Sequence, residues 1–236
     1  MSAGVLYLVP NLLGAVPPTN VLPALTLDIA RRLTHFAVET PKAARAFLKS
    51  LEVTHPIANL EIVPLPSADA ANARDPSLAA LLAGRDVGVL SDAGCPGVAD
   101  PGAWLVRAAH EHGVRVVPLV GPSAILLALM ASGMNGQAFC FHGYLPVKPA
   151  VRAETLRALE AQSRRERRTE MFIETPYRNV ALLQAMTATL DGKTRICVAA
   201  DLTLATETIE SRTTRQWRGA DVDRFDKRPA MFLLTA

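Results

Sequence analysis

Residues 91–102 read Ser-Asp-Ala-Gly-Cys-Pro-Gly-Val-Ala-Asp-Pro-Gly and follow the apolar run 87–90, which has the make-up of a buried strand. Three glycines and two prolines in this stretch specify a fixed backbone path, and glycine lets the main chain approach a ligand with no Cβ in the way. Asp92 stands at the strand end, where a carboxylate can accept bonds from ligand hydroxyl or amino groups. Asp92 and Asp100 could instead cap turns and a helix. The cap is the stronger reading for Asp100, just before Pro101, and the ligand role for Asp92. A second loop, Val-Gly-Pro-Ser-Ala at 120–124, joins the strand-like run 114–119 to an apolar helix at 125–131. Gly121 and Ser123 there suit a polar ligand held on backbone amides, or a plain turn with an N-capping serine. Cys95 could be imagined as a nucleophile, but no histidine partner is evident.

Other chemistries lack their residues. No GxxxxGK[ST] occurs, and the turn after the first strand is Pro-Asn-Leu-Leu-Gly at 10–14, so neither a P-loop nor a dinucleotide fingerprint is present. No HExxH, CxxC or His/Cys cluster suggests a metal, and His110 and His112, two apart on one helix, point to different faces. Three widely spaced cysteines, Cys95, Cys140 and Cys197, cannot build a disulfide framework and fit reduced thiols in the cytoplasm. The opening residues Met1 to Val5 lack a basic stretch with an apolar run behind it, so no signal peptide is expected. Apolar segments are broken by Gly and Pro well short of the roughly 20 residues of a membrane span. The net charge of +3 permits an anionic partner without demanding one.

The elements that must position these loops alternate. Strand-like runs at 5–9, 36–38, 60–63, 87–90 and 114–119 are separated by helical spacing at 24–33, 43–51, 78–82 and 103–109, which predicts a mostly parallel sheet with helices on both faces. Thr40-Pro41, Asp75-Pro76, Asp100-Pro101 and Thr175-Pro176 read as helix starts, and Gly84 and Gly113 as helix stops. A second α/β block has strands at 139–144, 171–173, 196–199 and 231–234, helices at 152–161 and 179–190, and Thr-rich antiparallel strands at 202–208 and 209–214. The turn signals at Gly133 and Gly136 place a boundary there, giving domains 1–133 and 134–236.

The residues now match a known family. The 91–102 segment resembles the S-D-A-G-T-P-x-x-S-D-P-G signature of the tetrapyrrole methylase superfamily, and more closely its ribosomal RNA 2′-O-ribose cytidine methyltransferase branch. The match continues in order. Residues 114–124 resemble I-R-V-V-P-L-P-G-P-S/C-A, and 139–148 resemble F-x-F-x-G-F-L-P-x-K. Residues 172–178 resemble F-Y-E-S-x-H-R, and 200–207 resemble R-E-L-T-K-x-x-E. The resemblance implies two α/β domains, the second with a mixed sheet, S-adenosylmethionine in the cleft between them (S-adenosylhomocysteine as product), and a homodimer. Family cofactor contacts, carried over by position, fall on Pro10, Asp92, Cys95 through Val98, Ser123, Ala124, Glu174 and Leu202. Departures lie where substrate would approach. The T-P-I-G-N loop is V-P-N-L-L-G-A-V-P-P, E-D-T-R is Val38-Glu39-Thr40-Pro41, K-G-E is Arg228-Pro229-Ala230, and the lysine of E-L-T-K is Leu204. They mark a divergent paralogue.

Methyl transfer from a sulfonium needs in-line geometry and exclusion of water, and a hydroxyl acceptor is helped by a group that takes its proton. Glu39, Glu174 and Glu207 are candidates, with Asn11 as a positioning group; fold-stabilising polar roles are equally open to them. The expected function is methylation of RNA, with the ribosomal subunit as a partner. The basic run 164–168, with Arg212, Arg215, Arg218, Lys227 and Arg228, would track phosphates or form a solvated face. The alternatives are a methyltransferase for a tetrapyrrole or other small metabolite, and an inactive binding protein that keeps the fold. No metal is expected.

Overall fold

The computed structural model describes residues 3–66 and 75–236; Met1 and Ser2, part of the N-terminal reading, lie outside them. The chain divides into two compact units between Ser123 and Ala124.

The first unit runs β1 (Val5–Leu8), α1 (Ala24–Arg32), β2 (His35–Val38), α2 (Pro41–Ser50), β3 (Glu61–Pro64), α3 (Pro76–Leu82), β4 (Val87–Leu90), α4 (Ala103–Glu111) and β5 (Arg115–Pro118). Its strands form one sheet in the order β3-β2-β4-β1-β5, and every pairing is parallel. Strand alternation sends successive side chains to opposite faces. Tyr7, Phe36, Val38 and Leu90 pack with Leu27, Ile29, Phe47 and Leu48 of α1 and α2. Leu6, Ala37, Val87 and Val89 pack with Leu78, Leu81, Leu105 and Ala109 of α3 and α4. Both faces are therefore covered, as the near-continuous apolar strands predict.

The helix starts differ in their chemistry. Asp75 caps α3 as expected, its Oδ1 accepting from the amides of Ser77 at 2.8 Å and Leu78 at 3.3 Å. Thr40 precedes α2 but gives no cap bond. Asp100 is not the cap of α4: the helix begins two residues beyond Pro101, behind Gly102 in the left-handed region at φ 119°. Gly84 and Gly113 adopt φ of 85° and 67° after their helices, as read from the sequence.

The second unit runs α5 (Ala124–Ser132), β6 (Phe139–Tyr144), α6 (Pro149–Glu166), β7 (Thr169–Ile173), α7 (Asn179–Thr189), β8 (Arg195–Ala200), β9 (Thr208–Thr213), α8 (Thr214–Trp217) and β10 (Ala230–Thr235). The sheet order is β6-β7-β10-β8-β9; β6 and β7 are parallel and the remaining pairs antiparallel. One face, with Phe172, Ile196, Val198, Phe232 and Leu234, buries Leu156, Leu182, Leu183 and Trp217. Helix α5 packs on β8, β9 and β10, so it belongs to this unit. That is why the division falls ahead of the Gly133 turn where composition placed it.

Residues 202–207 are not the strand expected of them. Asp201 and Thr203 take φ of 52° and 73°, and the amides of Leu204 and Glu207 donate to the carbonyls of Asp201 and Leu204 in successive turns. Thr206 Oγ1 donates to Asp201 Oδ2, and the Thr203 amide to Glu207 Oε2. Threonine here bonds its own neighbourhood instead of supplying β-branched bulk to a ladder.

Candidate functional site

The chain leaves β1 toward β2 but leaves β4 toward β5, so the crevice at the carboxyl ends of this parallel sheet opens between neighbouring β4 and β1. Three segments meet there. The 91–102 loop follows β4, the 120–123 loop follows β5, and the segment after β1 lies between them. Asn11 joins the first and last of these. Its amide donates to the Gly94 carbonyl at 2.8 Å, and the Gly94 amide returns to the Asn11 carbonyl at 3.2 Å. Its side-chain Nδ2 donates to the carbonyls of Ser91 and Asp92, each at 3.0 Å, and Oδ1 accepts from the Leu12 amide. Asn11 is buried and uses both side-chain donors, so its role is to fix the loop's path.

Pro10 is pressed against Gly121. A Cβ on Gly121 would collide with the Pro10 Cβ, with Pro10 Cγ at 2.7 Å and Leu22 Cδ2 at 3.0 Å. Thr26 Oγ1 of α1 holds the adjoining Val120 carbonyl at 2.8 Å. Pro10 and the 120–123 loop are thereby placed by packing and by the Thr26 bond.

Carboxylates gather on the β2 and β4 ends. Glu39 Oε2 accepts from the Asp92 amide at 2.9 Å, and Asp92 Oδ2 accepts from Thr40 Oγ1 at 2.8 Å. Burial, then the negative charges of Glu39 and Asp92, push the Asp100 carboxyl up to about 6. Thr40, which gives no helix cap, thus serves the site. Asp100, read from sequence as a cap, is the member that sequence assigned elsewhere; its place beside Glu39 depends on pairing of β2 with β4, which no local spacing encodes. Val98 is exposed and Cys95 half-buried. Burial and Asp100 raise the Cys95 thiol, which opposes the thiolate a nucleophile requires. A depression of about 540 Å³ lies beside this corner, lined by Leu65, Asp100, Gly102, Trp104 and Arg107 among others.

In the second unit Ala124 opens α5, and Glu174 follows β7. Glu174 is 4% exposed. Its Oε1 accepts from the Thr175 amide at 2.7 Å, Thr175 Oγ1 at 3.2 Å, and Arg178 Nε and Nη2 at 3.0 and 2.7 Å. Its Oε2 is buried and has no partner among the described residues. Leu202 is buried in the turn described above, and Glu207 is exposed with Oε2 on the Thr203 amide. Of the three glutamates read as proton acceptors, Glu174 alone pairs burial with an unpartnered oxygen; a lone buried acceptor of this kind calls for a donor.

The basic residues are largely engaged. Arg165 pairs with Glu166, and Arg168 with Glu166 and Glu170. Arg212 and Arg224 share Glu210, Arg228 pairs with Asp201, and Arg218 donates to the Thr187 and Leu190 carbonyls. Arg164 and Arg167 make no ion pair among the described residues and are exposed. No helix among the described residues is long and apolar enough to cross a membrane.

Residues 23–216 match the family described as Tetrapyrrole (Corrin/Porphyrin) Methylases. The chain is 33% identical over 208 residues to the ribosomal RNA small subunit methyltransferase I of Escherichia coli O157:H7, covering 88% of this chain and 68% of that protein. It is 44% identical over 138 residues to the protein of that name in Mesorhizobium japonicum, covering 58% of this chain and 46% of the relative, so it spans less than half of that protein's length. Among solved structures it resembles the methyltransferase CobJ, with a TM-score of 0.61, 21% identity, and 99% and 94% of the two chains covered. The hypothetical protein APE0931 of Aeropyrum pernix K1 gives a TM-score of 0.67 at 19% identity, covering 100% and 85%. At these identities the structural likeness speaks for the fold.

Proposed function

Because the chain belongs to the tetrapyrrole (corrin/porphyrin) methylase family, we propose that it moves the methyl group of S-adenosylmethionine to an RNA acceptor, by resemblance a ribose 2′-hydroxyl of ribosomal RNA. The carboxylate trio Glu39, Asp92 and Asp100 carries the cofactor reading. Its mutual repulsion, felt at Asp100, favours a bound cation, and S-adenosylmethionine carries a sulfonium and an α-ammonium. The orphaned Glu174 Oε2 supports it further, since the ligand's amino and hydroxyl groups are donors.

The cofactor supplies an already activated methyl group. The chain's part is to align it and keep water out, with the loop fixed by Asn11 as the rigid floor. The RNA reading draws on the names of the relatives and on exposed Arg164 and Arg167, which suit phosphate contacts. The homodimer belongs to the same reading, and exposed Leu126 and Met130 on α5 are consistent with an apolar interface.

Calorimetry with S-adenosylmethionine and S-adenosylhomocysteine, followed by labelled-methyl transfer to total RNA from a strain lacking the gene, tests this reading. Saturable binding and RNA labelling are expected. No binding at millimolar cofactor overturns the methyltransferase reading. Binding with transfer only to small metabolites overturns the RNA acceptor, and binding without any transfer leaves a cofactor-binding protein.

A further inference from the structure

The family pattern F-x-F-x-G-F-L-P leaves two positions open on β6, and this chain fills them with Cys140 and His142. Two apart on a strand, they share one face. The parallel register places Cys140 opposite Glu170 of β7, so a thiol, an imidazole and a carboxylate come together. A ligating atom from each lies within 4.8 Å of the others.

Glu170 is fully buried, and its two oxygens have separate duties. Oε1 accepts from Arg168 Nε at 2.7 Å, while Oε2 meets His142 Nε2 at 2.7 Å. Arg168 is shared between Glu170 and Glu166. The structure adds an imidazole on the second oxygen and a half-buried cysteine beside both. The β6 strand lies at the sheet edge and His142 retains 23% side-chain exposure, so the group can be reached from solvent.

We propose that Cys140 Sγ, His142 Nε2 and Glu170 Oε2 form a site for a borderline-soft divalent cation, with zinc as the fitting chemistry. Sulfur, imidazole nitrogen and one carboxylate oxygen are the donors zinc takes, with three protein ligands and a fourth position left to water. Binding releases the Cys140 thiol proton to solvent, while the hydrogen on His142 Nε2 is exchanged for one on Nδ1, so the imidazole stays neutral. Thiolate and carboxylate then balance the dication. Arg168 on Oε1 acts from behind, orienting the carboxylate as outer partners of metal ligands do. The His142–Glu170 contact at 2.7 Å must open to admit the ion while Cys140 closes on it, which Cys140 and His142 can accommodate on an edge strand with a bulge between Phe141 and Tyr144. The sequence alone does not reveal the group, because its third member is brought in by strand pairing.

The test uses the full chain, stripped with chelator, dialysed and titrated with zinc against a chromophoric competitor, then separately with cobalt. One zinc per chain and a thiolate-to-cobalt charge-transfer band in the near ultraviolet are expected. Cys140→Ser should abolish the band, and Cys140→Ser and His142→Gln should each weaken zinc binding by more than about tenfold, the scale at which even residues behind a ligand act. Glu170 is left intact because removing it strands Arg168. Circular dichroism confirms that each variant is folded, and should one fail to fold, the cobalt band of the unaltered chain still reports the thiolate ligand. Absence of stoichiometric zinc binding by the unaltered chain, or a cobalt spectrum without the band, overturns the proposal, as does undiminished binding in both folded variants.

Discussion

Gly121 and Pro10 meet so closely that a single methyl group on the glycine has no room, with Pro10 Cγ 2.7 Å from where its Cβ would stand. The contact lies between backbone and a proline ring, neither of which can swing aside. Gly121→Ala is therefore expected to displace the segment after β1, costing about 1–3 kcal/mol as overpacked sites do. Urea unfolding reads the loss, and calorimetry with S-adenosylmethionine should show weakened binding in the folded fraction. An alanine variant with unchanged stability would mean that the first loop yields freely.

Asn11 presents a different kind of constraint. Replacing it with alanine removes the two Nδ2 bonds to the Ser91 and Asp92 carbonyls in a buried setting, while the backbone bridge to Gly94 survives. Leaving such acceptors unpaired costs about 1–3 kcal/mol. The Asn11→Ala protein should unfold at lower denaturant with an unchanged slope, and amide exchange should rise in the 91–102 loop ahead of β4. Equal protection across both would show that the carboxamide does not hold the loop.

Much of this was legible beforehand. The β4 strand and its glycine-rich loop could be read because apolar run, glycine and proline act locally. Gly84 and Gly113 were readable for the same reason: a left-handed residue leaves a local mark. What escaped depends on distant partners. Asp100 looks like a helix cap because Pro101 follows it, yet the helix begins at Ala103 behind Gly102, and the carboxylate is set beside Glu39 by the β2–β4 pairing. The 202–207 segment looks like a strand by its threonines, but Thr206 spends its hydroxyl on Asp201 and the backbone turns at Asp201 and Thr203, both at positive φ. The basic residues were open to a phosphate track or a solvated face; Glu166, Glu170, Glu210 and Asp201 take up Arg165, Arg168, Arg212 and Arg228.

The same Asp100 gives stability a pH dependence of defined sign. Its carboxyl stands at about 6 in the fold against 3.8 ordinarily, so between these values the unfolded chain loses the proton first. Stability falls as pH rises through that window. Asp100→Asn removes the effect: little change is expected below pH ~4, and stabilisation above pH ~6. Because Asp100 is half-buried, solvent screening limits the gain to about 1 kcal/mol. Thermal melts of both proteins across this range check it, and parallel curves at every pH would remove Asp100 from the carboxylate trio.

Glu174 gives the sharpest separation of structure from binding. All four donors, from Thr175 and Arg178, converge on Oε1, so a glutamine that keeps its oxygen there preserves most of the local network. Its amide nitrogen then takes the place of Oε2, and an unpartnered acceptor becomes a donor. If a ligand donates to Oε2, Glu174→Gln should weaken cofactor binding by about tenfold, equivalent to ~1.4 kcal/mol, in a protein that still unfolds cooperatively. Arg178→Lys is the matching control. It loosens the bidentate pair on Oε1 and should lower stability more than it lowers cofactor affinity. Should glutamine and lysine variants lose affinity and stability in the same proportion, Glu174 serves the fold alone, and the buried Oε2 takes no donor from the cofactor.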